Sequence, residues 1–207
     1  VRATPFSLAE RDRCFIDALD RRLEAAALPV LQHLECRLGC TECCIGPFDI
    51  TPLDAWRLRR GLDELRGERP EVARALLERA QSQWVCLREG FPGEAGGGRL
   101  TGDEARRRRF FAAFGDLPCP LLDPASGACV LYEARPVSCR TFGLPIRCGG
   151  EILPPCRLNF RAATPEDTES AVVDPDPEDD EGRLLRRLAR ENGGRGDTIV
   201  AWVLASA

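Results

Sequence analysis

Nine cysteines fall in two clumps: Cys36, Cys40, Cys43 and Cys44 in the pattern C-x3-C-x2-C-C, then Cys119, Cys129, Cys139, Cys148 and Cys156. Thiolates are soft donors suited to zinc, iron or iron-sulfur clusters. Closely spaced cysteines bring two or three sulfurs to one centre at little loop-closure cost, and a later group completes the sphere and ties distant segments together. The expectation is a thiolate metal site that is part of the fold.

Spacing alone leaves two chemistries open, since tetrahedral zinc and an iron-sulfur cluster each accept four cysteines. Adjacent Cys43 and Cys44 are expected to send their side chains apart, which is awkward on one mononuclear zinc. That favours a cluster, with 4Fe–4S the expected type and zinc the alternative. Nine thiols exceed one four-thiolate site, leaving room for two centres or for non-ligating cysteines. Arg135 and Arg140 flank Cys139 and are the candidate cofactor-contacting cations, donating to sulfur or offsetting thiolate charge. Each could equally pair with Glu133 at the surface. Tyr132 is expected in the core, and Cys14 and Cys86, on helical patterns beside apolar stripes, as small buried hydrophobes.

Composition removes other mechanisms. The 207 residues are 43% apolar with a net charge of −4, which describes a soluble globular domain with a modest core. All 29 basic residues are arginine and methionine is absent, a bias expected of a GC-rich bacterial genome. Without lysine there is no Schiff-base chemistry. The single histidine, His33, excludes zinc sites built from several imidazoles. Residues 1–20 show neither a basic n-region nor an unbroken apolar h-region, and no segment approaches a membrane span. The expected compartment is the reducing cytoplasm, where cysteines act as ligands or redox thiols rather than disulfides. The odd total of 11 cysteines fits full pairing poorly.

The elements that must position these thiols read as short and mainly helical. Ser7 and Glu10 form a capping box before the stripe Leu8, Phe15, Leu19, Leu23. Pro29 ends that helix ahead of the first clump. Thr51-Pro52-Leu53-Asp54 starts a second helix, Pro70 a third striped by Val72, Leu76, Ala80, Trp84 and Leu87, and Asp103 a fourth reaching Phe114. Residues 90–98 read as a glycine-rich loop. Beyond Cys119 the pattern predicts a small hairpin, Pro120–Leu122 with Val130–Tyr132, then a one-turn helix holding Cys139 and Arg140, and a tight turn at Gly149-Gly150. Residues 166–181 read as an acidic, solvated linker before a helix over 182–191. Residues 199–204 fit strand or helix equally. The fold class is therefore mainly α with short β-hairpins, a small irregular α+β domain organised around a cysteine metal site. Residues 1–161 are taken as the cysteine-cluster domain and 162–207 as linker and tail.

The first clump with Pro47, Ile50-Thr51 and Asp54-Ala55-x-Arg57-Leu58, then Cys119-Pro-Leu-Leu, Tyr132-Glu133-Ala-Arg135-Pro136-x-x-Cys139-Arg140 and Phe142-Gly143, resembles the bacterial YkgJ-type cysteine-cluster proteins. The resemblance spans residues 36–156 and implies a zinc- or iron-chelating domain. That family is in turn similar to part of the flagellin lysine methylases, which implies that such a module accompanies protein-modifying chemistry.

Two rival readings fall short on the residues. A nucleic-acid module would use Arg106–Arg109 with Phe110 and Phe111, yet these lie in a charged helix of an acidic chain. A self-contained methylase would need a strand before its glycine loop, and Gly96-Gly97-Gly98 has none. The expected function is metal binding, in iron-sulfur form for electron transfer, metal handling or support of a partner enzyme. The expected partners are a protein or redox partner, with no membrane and no nucleic acid; whether the chain is itself an enzyme stays open.

Overall fold

A computed structural model describes residues 7–192 and 196–207. The first six residues, part of the stretch inspected for a leader, lie outside it. The chain forms two compact units, residues 1–37 with 138–194 and residues 38–137 with 195–207. Among the described residues, no helix is long and apolar enough to cross a membrane.

In the first unit α1 spans Leu8–Ala27, opened by the Ser7–Glu10 capping box and followed by 3-10 turns over Leu28–His33. Phe15, Leu19 and Leu23 form its buried stripe. The second unit begins with a cysteine-bearing loop containing a 3-10 turn, Glu42–Cys44, and continues into β1 at Asp49–Ile50. Thr51 and Asp54 cap α2, Pro52–Glu68, as a reciprocal box. Then comes α3, Pro70–Leu87. The glycine-rich loop contains a minimal hairpin, β2 at Gly93–Glu94 with β3 at Arg99–Leu100. Gly98 at its turn has φ +67° and lies so close under Trp202 that a Cβ would fall 2.0 Å from the indole. Only glycine satisfies both conditions. Asp103 caps α4, Glu104–Ala113.

The expected hairpin after Cys119 is reduced to a single bridge between Leu122 and Cys129 around the Asp123–Gly127 turn, and Tyr132–Ala134 form a 3-10 turn instead of a strand end. Tyr132 is consequently 57% exposed and not part of the core. The short helix α5, Val137–Thr141, carries Cys139 and Arg140.

Back in the first unit, β4 (Ile146–Cys148) and β5 (Glu151–Leu153) pair antiparallel around Gly149 and Gly150, both at positive φ. The acidic stretch holds local structure: α6, Pro165–Ser170, is capped by Thr164 and Asp167, Ala171 is fully buried, and Val173 bridges Ile146 in parallel. Helix α7, Asp180–Asn192, packs on α1 through Leu184 and Leu188.

The C-terminal run combines both readings. Thr198–Ile199 is β6, paired with β1, and Val200–Ala205 turns into α8. Helix α8 is buried against α2 and α3, so the apolar run forms the centre of the second unit with Leu58, Leu62, Leu76 and Leu87. A continuous apolar run buried on all sides shows no amphipathic period, which is why sequence left it undecided. The protein is mainly α with short hairpins, as expected from sequence.

Candidate metal centre

The second unit joins the two cysteine clumps through its backbone. The N–H of Gly46 donates to Leu117 O at 2.8 Å and the N–H of Cys119 to Cys44 O at 2.7 Å, around an antiparallel bridge between Ile45 and Pro118. Gly46 has φ +84° and faces the Gly115 carbonyl at a distance that leaves little room for a side chain. The loop before it is positioned by Gly39, whose Cα lies 3.3 Å from where a Cβ on Gly127 would sit. Cys40 follows directly and is half-buried.

Like-charge repulsion acts on Cys43 from Cys44, and on Cys119 from Cys129 and Cys43. Cys43 and Cys44 share a side-chain hydrogen bond, which together with burial and the neighbouring Cys44 sulfur pushes the Cys43 thiol well above its ordinary range; Arg135 acts in the opposite direction. The expectation that these adjacent side chains diverge is thus not met: the 3-10 turn over Glu42–Cys44 brings the two sulfurs together. Burial pushes the Cys119 thiol up to about 12, with Cys129 and Cys43 adding like-charge repulsion. The amides of Leu121 and Leu122 pull the other way by donating to the Cys119 sulfur. The Cys-Pro-Leu-Leu turn is closed by Leu122 N–H on Cys119 O at 3.0 Å.

Arg135 is held beside this group. Its guanidinium lies 3.7 Å from the Tyr132 ring centroid and donates to the Tyr132 carbonyl at 2.9 Å. The exposed tyrosine is a platform for this cation. Asp54 fixes the start of α5: its Oδ1 accepts from Val137 N at 3.0 Å and from Arg57 Nη1 at 2.6 Å, with Asp54 and Arg57 both buried.

The first unit holds the remaining candidates. Cys36 is exposed, and its Sγ accepts from Asn159 Nδ2 at 3.4 Å. Cys139 is half-buried on α5, Cys156 is buried, and Cys148 is exposed at the end of β4. Arg140 is not a surface residue: its side chain is 1% exposed and donates to Asp20 Oδ2 on α1 at 2.6 Å. His33 stacks on Phe160, with its Nε2 3.6 Å from Asp167. Cys14 and Cys86 are both exposed, contrary to the reading as buried hydrophobes, because each lies beside its helix's apolar stripe rather than on it. Sequence reasoning passed over Asn159 and the Asp54–Val137 bond, since neither leaves a pattern in residue spacing.

Among the described residues, no three Cys, His, Asp or Glu side chains stand in a ready metal-holding arrangement. The donor chemistry nevertheless fits a soft metal. The Cys43 and Cys119 thiols, held protonated by their surroundings, would bind such an ion by exchanging their protons for it. Cys43, Cys44, Cys119 and Cys129 are the residues that would hold it.

No curated protein and no solved structure matches the chain. The sequence model of the CxxCxxCC domain, described as a zinc- or iron-chelating domain, matches residues 35–157, which include all nine clustered cysteines as well as Arg135 and Arg140. By that match over more than half of its length, this chain belongs to the CxxCxxCC family of zinc- or iron-chelating domains.

Proposed function

We propose that the thiols of Cys43, Cys44, Cys119 and Cys129 hold an iron-sulfur centre that passes electrons to, or supports, a partner protein. The observation that carries the reading is the backbone bond from Cys119 N–H to Cys44 O at 2.7 Å beside the Ile45–Pro118 bridge, which sets cysteines of the two clumps next to each other in one unit. Four thiolates in a half-buried setting need a multivalent soft cation to offset their charge. Thiol number supports iron-sulfur chemistry: the second unit alone has five clustered cysteines and the first has four more, beyond what one tetrahedral ion uses. Hydrogen bonds from Leu121 and Leu122 to sulfur and the nearby Arg135 are the features through which a protein tunes such a centre.

Zinc is the second reading, favoured by the Cys43–Cys44 contact. Sulfurs at about 2.3 Å from one tetrahedral zinc lie roughly 3.8 Å from each other, close to the separation of hydrogen-bonded thiols. Metal and sulfide analysis with a visible spectrum, on protein purified without oxygen, separates the two. Broad sulfide-to-iron absorption with matching iron and inorganic sulfide supports the cluster. A colourless protein with stoichiometric zinc replaces it with the zinc reading, and a metal-free protein overturns both.

A further inference from the structure

The Asn159 side chain is 95% buried, and its amide is used on every side. Oδ1 accepts from Glu35 N at 2.8 Å, while Nδ2 donates to Gly143 O at 2.7 Å and to Cys36 Sγ at 3.4 Å. The amide's orientation follows from its partners. A backbone N–H can only donate and a carbonyl can only accept, so Nδ2, not Oδ1, is the atom turned to the sulfur. The Cys36 thiol lies farther from Oδ1, at 3.9 Å.

Gly143 completes the hollow. A Cβ there would lie 3.1 Å from Cys36 Sγ and 3.4 Å from Asn159 Nδ2, so glycine leaves the space the sulfur occupies. The backbone is bent to present Asn159. Its N–H donates to Cys156 O at 2.9 Å, closing a turn from a second candidate ligand. The next residue, Phe160, has φ 58°, and its N–H reaches His33 O at 2.8 Å. A bulky residue in the left-handed region persists where its surroundings hold it there. Here the two anchors just before Cys36, His33 O on Phe160 N and Glu35 N on Asn159 Oδ1, do so.

We infer that Asn159 and Gly143 form a cradle that fixes the Cys36 sulfur as a metal ligand, Asn159 being a positioning residue that acts through Cys36. Asn159 lies beyond residues 35–157, where the family match ends. The inference rests on the metal-binding reading and adds a sulfur-directed donor to it. An N–H aimed at sulfur stabilises the electron-rich thiolate and restricts its rotation, so the ligand is oriented before the ion arrives.

The test uses full-length chelator-treated protein, titrated with Co(II) and then displaced by Zn(II). Wild type, Asn159→Asp and Gly143→Ala are compared, each with and without Cys36→Ser. Asn159→Asp keeps the acceptor for Glu35 and removes the donor to sulfur; Gly143→Ala leaves Asn159 intact and crowds the sulfur. Each is expected to lower Zn(II) affinity about tenfold and to weaken the thiolate-to-Co(II) charge-transfer band as Cys36→Ser does. Neither should add to the effect of Cys36→Ser, as two changes acting through one group do. Wild-type affinity and band in both variants would overturn the inference. So would a full additional loss on top of Cys36→Ser, which marks Asn159 as merely structural. Wild type that takes up neither metal would sink the metal-binding reading itself, a result distinguishable from failure of the cradle alone.

Discussion

The N–H of Cys119 donates to the carbonyl of Cys44 at 2.7 Å, so two cysteine-bearing segments far apart in sequence are joined by backbone. The bond holds the loop ends in register before any ligand is considered. Cys43, Cys44, Cys119 and Cys129 all lie in the second unit, whereas Cys36, Cys139, Cys148 and Cys156 belong to the first.

Removing the metal should loosen the second unit, because the thiols of Cys43 and Cys119 come from segments held together there. Chelated protein is expected to melt earlier and less cooperatively than loaded protein in circular dichroism. Superimposable transitions would show that the metal contributes nothing to the fold.

Serine at Cys43 or Cys119 should abolish most metal uptake, since a hydroxyl is a poor donor to soft metals. Cys14→Ser and Cys86→Ser should leave uptake near wild type, as both thiols are exposed on α1 and α3. Metal content per chain after desalting is the measurement. An emptied site in Cys14→Ser would undo this division of the cysteines.

Metal affinity should rise with pH. The Cys119 thiol, held up to about 12 by burial, keeps its proton at neutral pH and must give it up on binding. Competition titrations should show a gain of about tenfold per pH unit for each proton displaced. The sign reverses for the apo protein's stability. A thiol with a raised folded pKa stabilises the fold below its unfolded value of about 8.5, and that contribution is lost as pH rises toward about 12. Urea unfolding of metal-free protein at increasing alkaline pH should therefore show falling stability from this group.

Asp54→Ala should destabilise the protein by about 3–5 kcal/mol, the effect of leaving one partner of a buried ion pair uncompensated. It also removes the acceptor for Val137 N and half of the α2 capping box. Thr51→Ala removes only the other half of the box and should cost about 1 kcal/mol. Equal midpoints for the two variants in urea would contradict this ordering.

Arg135→Gln should make a redox-active centre harder to reduce, because it removes the cation that favours negative charge at Cys43. Arg140→Gln should leave the potential near wild type and lower the melting temperature, since its guanidinium is buried against Asp20. Potentiometric titration of both variants checks the contrast. A larger potential shift in Arg140→Gln would place that arginine, not Arg135, in the field of the centre.

Local chemistry was legible in the sequence because it depends on neighbours along the chain. The capping boxes at Ser7–Glu10 and Thr51–Asp54 and the glycine turn at 149–150 follow from hydrogen bonds and φ preferences within a few residues. The cysteine spacing likewise announced thiolate metal chemistry, which the family match supports. Spacing could not say which thiols meet. That depended on the 3-10 turn that brings Cys43 to Cys44, and on the backbone bond from Cys119 to Cys44.

Only the tertiary structure decided exposure and long-range polar contacts. An apolar stripe marks a buried face but not how far its flanks are covered, so Cys14 and Cys86 are exposed beside well-filled stripes. Tyr132 looked like a strand end, yet a 3-10 turn swings it outward to seat Arg135. Asn159 has no sequence signal at all: a buried amide acquires its role from the three groups that folding places around it, Glu35 N, Gly143 O and Cys36 Sγ.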